Sequence, residues 1–118
     1  MCVRYRVVRE HSRSDVKGLR LYSGEMVSVG RRDTDWSSWL WCTTESGQGA
    51  WVPEQFLHVW DDNRAVVTTD YDSTELTVSP GDLVTGTQIV GGWVWSKNSQ
   101  SEEGWVPLEN LTQISEPK

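Results

Sequence analysis

The chain has 118 residues and a formal net charge of −6, but residues 1–59 hold eight Arg/Lys against seven Asp/Glu while residues 60–118 hold three against ten, a split of +1 and −7. The acidic half repels nucleic acid and anionic membranes and attracts basic peptides, through a field that physiological salt screens over about 8 Å. No apolar run approaches the roughly 18 residues of a membrane span and the first six residues carry no apolar leader, so a cytoplasmic chain with no membrane partner is expected.

From the amino end, Val3, Tyr5 and Val7 alternate with Arg4 and Arg6, the period-2 pattern of a half-buried opening strand. Residues 10–18 are polar and aperiodic, which predicts a long loop. Leu19 and Leu21 alternate again, Ser23-Gly24-Glu25 is a turn, and Met26 to Val29 is a second strand. After the charged loop Arg31 to Asp35, Trp36 leads into a third strand over Trp39 to Thr44, and Glu45 to Gly49 turns the chain back into Ala50-Trp51-Val52. Pro53 lacks a backbone donor and ends that strand. Glu54-Gln55-Phe56 has room for one helical turn before Leu57-His58-Val59.

Trp60-Asp61-Asp62-Asn63 is then a linker too short for free tumbling, and Trp60 is expected to pack between the parts it joins. The same order follows: a strand from Arg64 to Thr69, a loop from Asp70 to Thr74, Leu76 and Val78 alternating, a turn over Ser79 to Asp82, and a strand from Leu83 to Thr87. Gly91-Gly92 precedes Trp93-Val94-Trp95, Lys97 to Gly104 is a polar hairpin loop, and Trp105-Val106-Pro107 leads into Leu111 to Ile114. Residues 115–118 read as a loose tail.

The repetition is quantitative. Trp51-Val52-Pro53 returns as Trp105-Val106-Pro107 and Trp39-Leu40-Trp41 as Trp93-Val94-Trp95, both at an interval of 54 residues. An all-β chain of two modules follows, over residues 1–59 and 64–114. Units of this size bury only about 60% of their unfolded surface, so large side chains must supply the core. The chain's 8 tryptophans meet that need, with Trp51 and Trp105 expected as structural packing.

Five short strands per module, a long first loop, the turn Glu75-Leu76-Thr77-Val78-Ser79-Pro80-Gly81-Asp82 with its looser counterpart Gly18 to Glu25, a tryptophan after the next loop and a valine-proline step resemble the Src homology 3 domain. The resemblance covers nearly the whole chain, twice. It implies two tandem five-stranded Src homology 3-like β-barrels, without enzymatic activity or cofactor, whose aromatic grooves take proline-rich segments in the polyproline II conformation. Such a ligand is already ordered and presents flat apolar faces.

By that resemblance the groove tryptophan falls on Trp39 and Trp93, expected to be exposed, and the groove proline on Pro53 and Pro107. The tyrosine three residues later becomes Phe56 in one module and Asn110 in the other. The family's first strand ends in a run bearing two tyrosines, here matched by Val7 to His11 and Ala65 to Thr69, with Tyr71 filling the place if the second loop is drawn differently. The first module then has Trp39, Pro53 and Phe56 as floor with Arg9, Glu10, His11 and Asp15 near its rim. The second gathers Asp70, Asp72 and Glu75 beside Trp93, with Glu102 and Glu103 adding negative charge. Carboxylates beside an aromatic face suit arginine, so basic peptides are expected there.

Other readings are a nucleic-acid binder using Arg4, Arg6, Arg9, Arg13, Arg31 and Arg32 with Trp36 and Trp39, a cell-wall binder, which would need export, and a structural module whose grooves are covered, for instance in a weak homodimer. Cys2 and Cys42 do not make a disulfide framework, and with His11 and His58 they lack metal-ligand spacing. Cys42 aligns with Ser96 and reads as a buried, inert thiol.

Overall fold

A computed structural model of the chain describes residues 2–13 and 18–114. Asp15, expected at a groove rim, and the tail 115–118 lie outside the described residues. The strands in chain order are β1 (Val3–Val7), β2 (Arg20–Leu21), β3 (Met26–Arg32), β4 (Trp39–Thr43), β5 (Gly49–Pro53), β6 (Leu57–Val59), β7 (Arg64–Val67), β8 (Tyr71–Asp72), β9 (Leu83–Val90), β10 (Trp93–Lys97), β11 (Glu103–Pro107) and β12 (Leu111–Gln113). Two 3-10 turns, Glu54–Phe56 and Leu108–Asn110, each follow the proline that ends a strand. The all-β expectation holds, as does the helical turn at Glu54–Phe56; Leu108–Asn110 adds a second such turn, and β8 lies in the stretch Asp70 to Thr74 that the sequence reads as a loop.

The division into modules does not. The two compact units are Val16–Ser73, an insert unit, and a terminal unit made of Met1–Asp15 with Thr74–Lys118. In the insert unit the sheet runs β5-β4-β3-β7-β6, with β2 paired to β8 beside it; in the terminal unit it runs β11-β10-β9-β1-β12. Each sheet is antiparallel and its order ends at two edge strands. The first strands of the two sequence modules have therefore changed places: β7 lies between β3 and β6, and β1 between β9 and β12.

The expected linker is the reason. Trp60 to Asn63 is the tip of a hairpin in which Leu57 pairs with Val67, His58 with Val66 and Val59 with Ala65. Closing so short a loop costs little chain entropy. Asp61 gives it turn chemistry: its Oδ1 accepts the Asn63 and Arg64 amides at 2.9 Å each, and its Oδ2 takes the Arg64 guanidinium at 3.1 Å. Trp60, expected to be packed, is 63% exposed. Once β7 has filled the place beside β6, β1 pairs with the other sheet.

Side-chain size fits the exchange. Tyr5 stands opposite Val84 with Val3 opposite Gly86, and a Cβ on Gly86 would lie 2.7 Å from the Tyr5 ring and 2.6 Å from Val94. Glycine there makes the room that Tyr5 fills in a core of Val7, Leu76, Val78, Val94, Val106 and Leu111. In the insert unit the residue facing Val27 as Tyr5 faces Val84 is the fully buried Ala65. The place of Gly86, opposite Ser96, is taken by Val29, opposite Cys42, one repeat away. Large thus stands with small in one unit, and small Ala65 with the larger, half-buried Val29 in the other. The unexchanged pairing would crowd Tyr5 against Val29 and leave a hole beside Gly86, and crowding alone costs about 1–3 kcal/mol.

Two outcomes are expected. Residues 16–73 expressed alone will melt cooperatively, whereas residues 1–59 will melt at lower temperature, and Tyr5→Ala will raise the melting point of that fragment while lowering the full chain's stability by about 3–5 kcal/mol; circular dichroism checks both. Bonds from the Asn63 amide first, and from Arg64, hold the Asp61 carboxyl below its usual value of 3.8. A carboxyl depressed by folding adds stability that is present above its unfolded pKa and lost as pH falls through its folded one. Asp61→Asn will therefore lower the melting temperature at pH 7 and shrink the further loss on acidification below about pH 4.

Candidate functional site: two aromatic clusters

The exchange redistributes the residues that the sequence points to. In the insert unit Trp39 opens β4 opposite Pro53, the last residue of β5, and Phe56 ends the 3-10 turn that follows. Tyr71, on β8, joins them: its ring centre lies 6.4 Å from Trp39 and 5.7 Å from Phe56, edge-on to the latter. Its hydroxyl donates to the Trp51 carbonyl at 2.8 Å. Tyr71 thus stands with the first module's tryptophan and not with Trp93. Trp39, expected to be exposed, is buried at 5% exposure, with Tyr71 at 5%, Phe56 at 7% and Pro53 below 2%.

Asp70 and Asp72 also fall in the insert unit, away from the set of Glu75 and Trp93 in which they were expected. Asp70 Oδ1 accepts the Ser23 amide at 2.8 Å, and Asp72 Oδ2 pairs with Arg20 Nε at 3.4 Å across the β2–β8 pair. These acids tie their loop to the turn it crosses.

The terminal unit brings together Arg9, His11, Glu75, Trp93 and Pro107. Arg9 and His11 were expected beside Trp39; they arrive here because β1 does. The His11 backbone pairs with Val78 in both directions, at 3.1 and 2.8 Å. Its ring meets Trp93 edge-on at 5.4 Å and 80°, and its Nε2 lies 2.9 Å from Glu75 Oε1. Glu75 is fixed in turn because Leu76 donates to the Trp105 carbonyl and Trp105 to that of Thr74. This approach needs Gly104, where a Cβ would come within 2.6 Å of the Glu75 carbonyl carbon.

Below the tryptophan Pro107 is buried, and buried Asn110 donates from Nδ2 to the Glu10 carbonyl at 3.0 Å. Its own carbonyl accepts the Val8 and Arg9 amides. Asn110, where the resemblance has a tyrosine, thereby anchors the stretch that carries His11. Arg9 reaches Glu109 at 3.9 Å with both side chains exposed, a pair of small energetic weight. Trp93 itself is only half-buried. Glu102, exposed, accepts from Asn98 within its own hairpin loop.

The remaining tryptophans form two matching pairs, Trp41 with Trp51 and Trp95 with Trp105, each edge-on at 5.3 Å and 72°. Arg31 lies over Trp51 at 5.3 Å. The arginines that a nucleic-acid face would need are divided, with Arg4, Arg6, Arg9 and Arg13 in the terminal unit and Arg31 and Arg32 in the insert, where Arg32 pairs with Glu54 at 3.1 Å. Among the described residues no three of His, Cys, Asp and Glu gather as metal ligands, and no helix is long and apolar enough to cross a membrane.

Protein-family models, curated proteins and solved structures contain no match to this chain.

Cys42 is buried with its Sγ 3.7 Å from the Leu40 carbonyl, and burial pushes its thiol up to about 12. A thiol reagent at pH 8 will therefore label Cys2, which is exposed, and spare Cys42 until the protein is unfolded; mass spectrometry of the labelled protein distinguishes one adduct from two.

Proposed function

We propose that the chain is a noncatalytic protein-interaction module, an adaptor or scaffold of the cytoplasm, built of two Src homology 3-like barrels that take proline-rich and basic peptide segments. The observation that carries the reading is the twofold meeting of a first-loop ring with the tryptophan that opens the third strand. Tyr71 meets Trp39, and His11 meets Trp93, in each case at the strand that pairs with the conserved valine-proline step of the repeat. Aromatic rings gathered beside the valine-proline step suit a polyproline II ligand, which brings little conformational entropy to lose.

The two clusters are not equivalent. The insert unit has the more complete aromatic set, yet its rings are buried, so their packing energy goes to the fold. The terminal unit keeps Trp93 half-exposed beside a carboxylate. The peptide is therefore assigned to Trp93, His11 and Glu75, and a basic residue in it shares Glu75 with His11.

A fluorescent proline-rich peptide carrying one arginine should bind with a dissociation constant of micromolar order, about −8 kcal/mol at best. Trp93→Ala should weaken it at least tenfold with the circular dichroism spectrum unchanged. Trp39→Ala should instead destabilise the protein by about 3–5 kcal/mol. Undiminished binding by folded Trp93→Ala would remove the site from Trp93.

A further inference from the structure

The ring that stands in the place of His11 in the insert unit is Tyr71, whose hydroxyl donates to a backbone carbonyl where His11 meets a carboxylate. A tyrosine so placed holds its charge constant through physiological pH, whereas histidine is the side chain whose charge ordinarily changes between pH 5 and 8. Both partners are partly open to solvent, with 16% of the His11 side chain and 24% of the Glu75 side chain exposed. His11 in turn meets the ring of Trp93, on which the proposed peptide rests.

We propose that His11 makes the Trp93 site proton-gated: protonated, it competes with a cationic ligand group for Glu75, and neutral, it yields that carboxylate to the ligand. The inference rests on the peptide-binding reading and adds its regulation. With His11 neutral, the pair carries the single negative charge of Glu75; with His11 protonated its net charge is zero. The hydrogen bond between them, already charge-assisted by the carboxylate, then has both partners charged. A guanidinium or ammonium arriving at Trp93 then meets a carboxylate already neutralised.

The other charges near His11 do not remove the effect. On its own segment stand Arg9, Glu10 and Arg13, of which Arg9 faces Glu109 of the 3-10 turn and the Arg13 amide donates to Thr77 Oγ1. From the segment Thr74–Val78, Glu75 is the titratable group, and β10 and β11 bring the uncharged rings of Trp93 and Trp105. Among the described residues, Arg9 and Arg13 thus have partners of their own, and His11 is the imidazole that faces Glu75.

The test compares two proline-rich peptides identical except that one carries an arginine and the other a glutamine at that place. Affinities for the full chain are measured by fluorescence anisotropy from pH 5 to pH 8 at constant ionic strength. The ratio of arginine-peptide to glutamine-peptide affinity should rise about two- to fivefold from pH 5 to pH 8, the range one part-exposed ion pair carries. In His11→Tyr the ratio should be flat with pH. In Glu75→Gln it should be flat and low.

A ratio that does not change with pH in the unmodified chain while both peptides bind overturns the gating and leaves the peptide site standing. Binding of neither peptide at any pH overturns the site and the gating together. A pH dependence that persists in His11→Tyr assigns the proton to another group and overturns the role of His11.

Discussion

The short hairpin between β6 and β7 decides the architecture. Asp61 closes it by accepting two backbone amides and one guanidinium, and the closure places Arg64–Val67 beside the strand that precedes it in sequence. Local pairing of this kind forms with little loop entropy to overcome, while a strand more than 50 residues away must wait. With the position beside β6 occupied, the amino-terminal strand completes the other sheet. Every later feature of the two clusters follows from that displacement, because each first strand carries its loop ring with it.

The result is a chain in which sequence repeats and structural units are out of phase. The insert unit is contiguous and its ends meet, since the Leu19 amide donates to Ser73 Oγ at 2.8 Å and the Ser73 amide to the Leu19 carbonyl at 3.0 Å. The terminal unit is discontinuous and is completed across that join. A folded insert brings residues 13 and 74 within reach of one another, so the terminal unit inherits much of its loop-closure entropy already paid.

Much of the fold was legible in the sequence because strand alternation, turn residues and the 54-residue period are local signals. β1, the turn at Gly24, the proline-terminated β5 and β11 and the 3-10 turn at Glu54–Phe56 lie where the pattern puts them. What the sequence hid was pairing. Trp60-Asp61-Asp62-Asn63 reads equally as a linker and as a turn, and only the register of Leu57 with Val67 separates the two. The signal that could have separated them was size, since Tyr5 with Gly86 and Ala65 with Val29 match only across modules. The site inherited the same ambiguity: residue types were found, but Tyr71 and His11 were each assigned to the wrong tryptophan. The depth of Trp39 was also missed, because a strand-opening tryptophan gives no sign of whether a ring packs over it.

Gly86 has one more consequence, at the level of the gene. A tandem duplication can be undone by deleting either copy for as long as each copy completes its own fold. Once one first strand carries a tyrosine that fits only the other copy's glycine, a deletion at the repeat boundary leaves a strand that does not fit the core remaining to it. The complementary sizes of Tyr5 and Gly86 thus mean that a loss in phase with the sequence repeats separates a pair that a loss of residues 16–73 would keep.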